Sequence, residues 1–223
     1  MLCCVAAHER SGRFRRHHPD WLTAALRDVG ALSHARVTSI QSGPVGHMGM
    51  TGQLCRLQIR YDRAEPGAPR SLLAKFSARH PEVRATVHSI GFYEREIGFY
   101  REFAADCPVR TPRCYFGEVE MDSGASLLLL EDLTWMRNLN SAGGVLDEVE
   151  LVIRELGKLH AAWWGAARLD QTPWLPMKGI MTPDQAPVVL RPTTRPRVRL
   201  KLLTAPSSAR ESGASSRDLT ACC

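Results

Sequence analysis

The chain has 223 residues, 44% hydrophobic and 23% charged, with a formal net charge of +6. This composition supports a hydrophobic core and excludes a chain that is fibrous or disordered throughout. No apolar stretch approaches the ~20 residues of a membrane-spanning helix. The Arg and His residues near the amino terminus follow its short apolar patch, the reverse of a secretory signal. A cytoplasmic protein with no membrane partner is therefore expected.

The positive excess lies at the two ends. In residues 1–20, four Arg stand against Glu9 and Asp20. In residues 181–223, six Arg and one Lys stand against Asp184, Glu211 and Asp218. The middle of the chain is close to neutral, and no aromatic platform accompanies the terminal charges. A nucleic-acid partner is not expected. The seven cysteines (3, 4, 55, 107, 114, 222 and 223) show no CxxC spacing, so neither a zinc site nor a disulfide framework is expected.

Residues 1–18 read as a basic tail of low order. Residues 19–32, PDWLTAALRDVGAL, read as an amphipathic helix that Pro19 and Asp20 open, with Asp20 capping, and Gly30 stops. Strand character follows at Val37 and Ile40, then the glycine-rich segment SGPVGHMGMTG. LCRLQIRY after it has its apolar face in Cys55, Leu57, Ile59 and Tyr61. DRAEPGAPR is a turn segment, and SLLAKF a third strand. Residues 82–106 read as a single helix, with Ile90, Tyr93, Ile97, Tyr100 and Ala104 on one stripe. Residues 113–120 and 126–133 read as a hairpin about MDSG, whose second arm, SLLLLEDL, is apolar enough for a central strand. The stretch 145–168 is the longest helix expected. Residues 181–223 hold no aromatic residue, five Pro and five Ser, and read as a basic tail of low order.

Three features could carry chemistry. Gly43, Gly46, Gly49 and Gly52 recur at intervals of three. Such a loop either cradles phosphate with its amides or makes a flexible hairpin turn. Lys75 lies among Leu72, Leu73, Ala74 and Phe76. A lysine there either meets an anion or snorkels at a sheet edge. Glu96 falls between Phe92 and Phe99 on the apolar side of its helix, where it either meets Lys75 or faces solvent. Glu94 and Glu102 read as the solvent-facing pair.

The order of VTSIQSGPVGHMGMTGQLCRLQIRYD, SLLAKF, GFYEREIGFYREF, VRTPRCYFGEVE, LLLLEDL and ELGKLHAAWWG resembles the amino-terminal lobe of the protein-kinase-like phosphotransferases. It is most similar to the aminoglycoside/choline kinase-like branch, including the ecdysteroid-kinase-like group. The resemblance covers roughly residues 20–175. It implies an α+β fold: a lobe over 19–133 with about five antiparallel strands and one helix, then the start of a helical carboxyl-terminal lobe, cut short, over 134–180. It implies that Gly43, Gly46 and Gly49 cover ATP phosphates, that Lys75 contacts them and that Glu96 orients Lys75. Glu131, Asp132 and Leu133 would form the hinge, where backbone groups read adenine, with Leu73 or Ala74 packed beside it. The implied small-molecule partner is a nucleotide, the implied cofactors are ATP and Mg2+, and the implied acceptor is a small-molecule hydroxyl.

One part of the family pattern is not found. The resemblance calls for an HGD-type catalytic motif, an Asn some five residues beyond its Asp, and a later Asp for metal. His160 is the last histidine of the chain, and its asparagines are Asn138 and Asn140. No metal ligand and no catalytic residue is therefore assigned, and the chain is expected to be inactive or severely reduced. A non-catalytic nucleotide- or partner-binding module and a functionless fragment are the alternatives. The apolar face of the 145–168 helix is expected to be exposed and to promote self-association.

Overall fold

The computed structural model describes residues 18–45, 51–136 and 143–175. Helix α1, Pro19–Asp28, buries Leu22, Ala25 and Leu26 along one stripe. Its cap is His18, whose Nδ1 accepts the Asp20 N–H at 3.4 Å. Asp20 therefore lies inside the first turn and is not the cap. Gly30 stops the helix at φ +65°, a conformation costly for residues with a Cβ. Thr23 ties α1 to the sheet. Its hydroxyl donates to the Pro19 carbonyl and accepts the Val37 N–H.

Five antiparallel strands follow: β1 Val37–Pro44, β2 Gly52–Tyr61, β3 Ser71–Ser77, β4 Cys114–Glu120 and β5 Ala125–Glu131. Their order is β1-β2-β3-β5-β4. The period-2 pattern sorts side chains to two faces. Cys55, Leu57, Ile59, Leu72, Ala74, Phe76, Leu127 and Leu129 join Leu22 and Leu26 of α1 in the main core. On the other face Leu128 and Leu130 meet Ile97, with Leu73, Tyr100 and Cys114 around them. SLLLLEDL has consecutive apolar residues because β5 is covered on both sides, and it lies between β3 and β4 as a central strand should.

The region expected as one helix is two. Helix α2, Pro81–Ser89, ends before Gly91, and helix α3, Phe92–Glu102, begins after it. Gly91 has φ +70°, which reverses the local backbone and interrupts the helical ladder. The apolar residues of 82–106 keep helical spacing across the break, which is why the sequence reads as continuous. A single 3-10 turn, Ala104–Asp106, follows α3.

Helix α4, Leu146–Trp163, and the short helix α5, Ala167–Asp170, complete the described elements. No residue of α4 is fully buried, and Leu146, Val149, Val152, Ile153 and Leu156 are all exposed. Trp163 packs edge-on against Phe103 at 5.2 Å, whereas Trp164 is 86% exposed. No described helix is long and apolar enough to cross a membrane.

Candidate functional site

Lys75 sits on β3, the third of five strands, between Leu54 of β2 and Leu128 of β5. Alternation turns it to the face opposite the main core, toward α3. There its Nζ donates to both oxygens of Glu96, at 2.7 and 2.8 Å. The side chains are 24% and 33% exposed, so the pair is better shielded from water than the surface pairs worth ~0–1 kcal/mol. Central placement removes the sheet-edge alternative for Lys75. An ammonium has three N–H donors, and the third has no partner among the described residues. The same alternation sends the residues before Lys75 to different faces. Leu73 shares the face of Lys75, while Ala74 is fully buried in the main core.

Helix α3 is held in register by Tyr93. Its hydroxyl accepts the Ala78 N–H and donates to the Thr51 carbonyl, both at 2.9 Å. One side chain thus joins α3 to the end of β3 and to the residue that leads into β2. Burial raises the Tyr93 phenol above its ordinary pKa, against the opposing pull of the Ala78 N–H. The sequence contained this residue only as a member of an apolar stripe. Glu94 corrects another reading. It is not solvent-facing but half-buried against the His88 imidazole, whose Nε2 lies 2.8 Å from the Met121 carbonyl. Glu102 is exposed, as expected.

Gly43 lies inside β1, paired with Arg56, and a Cβ there would meet nothing within 4 Å. The strand accordingly runs further into the glycine-rich segment than its composition suggests. Gly46 and Gly49 lie outside the described residues. Gly52 opens β2, where a Cβ would stand 2.2 Å from the Phe76 carbonyl oxygen. The closeness of β3, without reference to any ligand, accounts for that glycine.

At the end of β5, Glu131 faces the segment before β4. Its carboxylate accepts from Arg110 at 2.7 Å and from the Arg113 N–H at 3.2 Å, and its own N–H donates to the Arg113 carbonyl. The Leu133 carbonyl accepts the Met136 N–H. Between them Asp132 is buried. One carboxylate oxygen accepts from Arg56 Nε at 2.6 Å and Ser71 at 2.5 Å, the other from the Thr134 N–H and hydroxyl. Burial alone would raise its pKa, but the bonds from Ser71, Thr134 and Arg56 outweigh it and hold the group at about 2. Asp132 thus fastens β2, β3 and the chain leaving β5. The Asp-Leu-Thr spacing of an Asx turn was the available signal, since Asp can bond backbone two residues on.

The described residues contain no group of three or more His, Cys, Asp and Glu arranged to hold a metal ion. The Lys75 face offers a cation with a spare donor, which suits a phosphate group.

The family model described as the ecdysteroid kinase-like family matches residues 48–173, more than half of the chain. The chain belongs to this family. The match begins within the glycine-rich segment, runs through the Lys75–Glu96 pair and ends two residues beyond Gln171. No curated protein and no solved structure matches the chain. The ecdysteroid kinase-like family is part of the kinase-like phosphotransferases, so that ancestry and the α+β lobe agree. Within such families generally, ATP and Mg2+ are the reagents.

Proposed function

We propose that this chain binds the phosphates of ATP through Lys75 and does not by itself turn the nucleotide over. The observation that supports the binding is the bidentate Lys75–Glu96 pair, whose third ammonium N–H has no partner among the described residues. Bound ATP would supply a transferable phosphoryl group. Glu96 holds the Lys75 ammonium in place, Tyr93 holds α3 and with it Glu96, and Leu73 offers apolar surface on the same face. The small-molecule hydroxyl acceptor belongs to this reading as family ancestry.

The missing turnover rests on the sequence. Phosphoryl transfer is mostly positioning and charge stabilisation. No HGD motif with a following Asn is present to orient an acceptor. The described residues also hold no group of three or more His, Cys, Asp and Glu arranged for a metal ion.

Calorimetric titration of the purified chain with Mg2+–ATP, beside the Lys75→Met variant, tests the binding. The expected result is binding by the parent chain and none by the variant. Equal binding by the two would overturn the role of Lys75. Phosphate release above that of a buffer blank, lost in Lys75→Met, would overturn the absence of turnover.

A further inference from the structure

A polar pocket lies at the end of β2 remote from the glycine-rich segment. Alternation turns Cys55, Leu57 and Ile59 into the main core, so Arg56, Gln58 and Arg60 share the opposite face of the strand. The register sets Gln41 of β1 and Ser71 of β3 on either side of Gln58. With Arg63 and Arg70, from the two ends of the β2–β3 connection, these residues line a space of about 660 Å3. That is inside the ~300–1,000 Å3 range of small-molecule sites.

Four guanidinia thus border one pocket, although residues 21–180 carry no net formal charge. Two of them have carboxylates. Asp132 takes Arg56 at 2.6 Å, and Asp62 takes Arg63 at 3.4 Å. Asp62 is the only carboxylate among the described residues that line the pocket, and its other oxygen already accepts the Arg36 N–H at 2.8 Å. The guanidinia of Arg60 and Arg70 have no hydrogen-bond or ion-pair partner among the described residues, and both residues are exposed. Arginine keeps its charge throughout the working pH range. A concavity lined by one sign of charge concentrates counter-ions of the other.

Arg56 is the fixed member. The buried Asp132 grips it from the side, at Nε. The two terminal nitrogens have no partner among the described residues, and the side chain is 42% exposed. The oxygen that takes Arg56 also takes the Ser71 hydroxyl, so two lining residues share one buried anchor. A guanidinium held this way loses little further freedom when an anion meets its outer edge. The pocket is also distant from Lys75, which pairs with Leu54. Arg60 stands six residues further along β2, roughly 20 Å at about 3.4 Å per residue, so one phosphate cannot meet both.

We propose that this pocket binds a phosphate monoester, its phosphoryl oxygens on the terminal nitrogens of Arg56 and on Arg60 and Arg70. One guanidinium fork satisfies a carboxylate, whereas several call for an anion with more charge and more acceptor oxygens. The side-chain amides of Gln41 and Gln58 offer donors and acceptors to the polar body of the ester. The site is separate from the nucleotide reading above and does not depend on it.

The test titrates glycerol 3-phosphate, inorganic phosphate and glycerol calorimetrically into the full chain. The ester is expected to bind at least as tightly as inorganic phosphate, and glycerol not at all. Arg60→Gln and Arg70→Gln, both at exposed positions, are each expected to weaken the ester about tenfold, the scale of one charge-assisted hydrogen bond. Lys75→Met is expected to leave ester binding intact. No ester binding by the parent chain, or unchanged affinity in a folded Arg60→Gln, Arg70→Gln double variant, would overturn the proposal. Binding of inorganic phosphate without the ester would overturn the assignment to a monoester. Loss of ester binding in a folded Lys75→Met chain would overturn it too, by moving the phosphate to the other site. Intact ester binding by a parent chain that fails to bind Mg2+–ATP would support this site and count against the Lys75 reading alone.

Discussion

Among single residues, Asp132 has the most concentrated set of partners. Four donors from Arg56, Ser71 and Thr134 converge on its carboxylate. Its folded pKa is depressed from 3.8 to about 2. A depressed carboxylate stabilises the fold fully above its unfolded pKa, and that contribution falls away as pH drops toward the folded value. The loss therefore falls between about pH 4 and pH 2. Urea unfolding midpoints of the parent chain are expected to decline across that window, while Asp132→Asn, already lacking the charge, follows a flatter acid limb. At neutral pH the same variant is expected to be less stable by about 1–3 kcal/mol, since Arg56 and Ser71 lose a charged acceptor. Parallel acid limbs for the two proteins would remove Asp132 from this role.

Among elements, α3 joins the candidate site to the sheet. Glu96 faces Lys75, Tyr93 reaches Thr51 and Ala78, and Ile97 packs on the sheet. Tyr93→Phe keeps the ring and removes only the hydroxyl. The Ala78 N–H and Thr51 carbonyl then lose their partner, at an expected cost of about 1–3 kcal/mol in urea unfolding. An unchanged midpoint would show that water replaces the hydroxyl without penalty. The strand pattern was legible in the sequence because alternation is a strong signal wherever one face is buried. The same holds for β5, whose doubled apolar run announced cover on both faces. The helix break at Gly91 was not legible. A glycine within apolar residues at helical spacing reads as tolerated, and the positive φ that ends α2 depends on how both helices dock. The Lys75–Glu96 contact was open in the sequence because the stripe of α3 fixes a direction but not the strand it meets. The bonds of the Tyr93 hydroxyl, and those of Asp132 to Arg56 and Ser71, were hidden for a related reason. These partners lie 15 or more residues away, and no local spacing records such pairings.

For the whole molecule, burial is unevenly distributed. The sheet and α1 enclose one continuous core, whereas α4 touches the rest mainly near its carboxyl-terminal end, at Leu159 and Trp163. Stability should follow this division. Leu129→Ala, in a fully covered position, is expected to cost about 2–5 kcal/mol. Ile153→Glu, on the exposed face of α4, is expected to stay within about 0.5 kcal/mol. The same α4 substitution is expected to shift sedimentation velocity profiles toward monomer, because it breaks an exposed apolar face that favours association. A monomeric parent chain under the same conditions would show that this face does not drive assembly.

The tight fit at Gly52 also affects how relatives should be compared. A side chain at this position would collide with the carbonyl of the neighbouring strand, and a backbone atom cannot rotate aside as a side chain can. Selection on folding alone would preserve the glycine, even in a descendant that had lost every ligand. Its presence in an alignment therefore dates the pairing of β2 with β3 and carries no information about catalysis. Position 75 behaves in the opposite way: a lysine on the α3 face of a central strand lies outside the main core, so its persistence or loss across relatives would be the more informative record of the proposed phosphate contact.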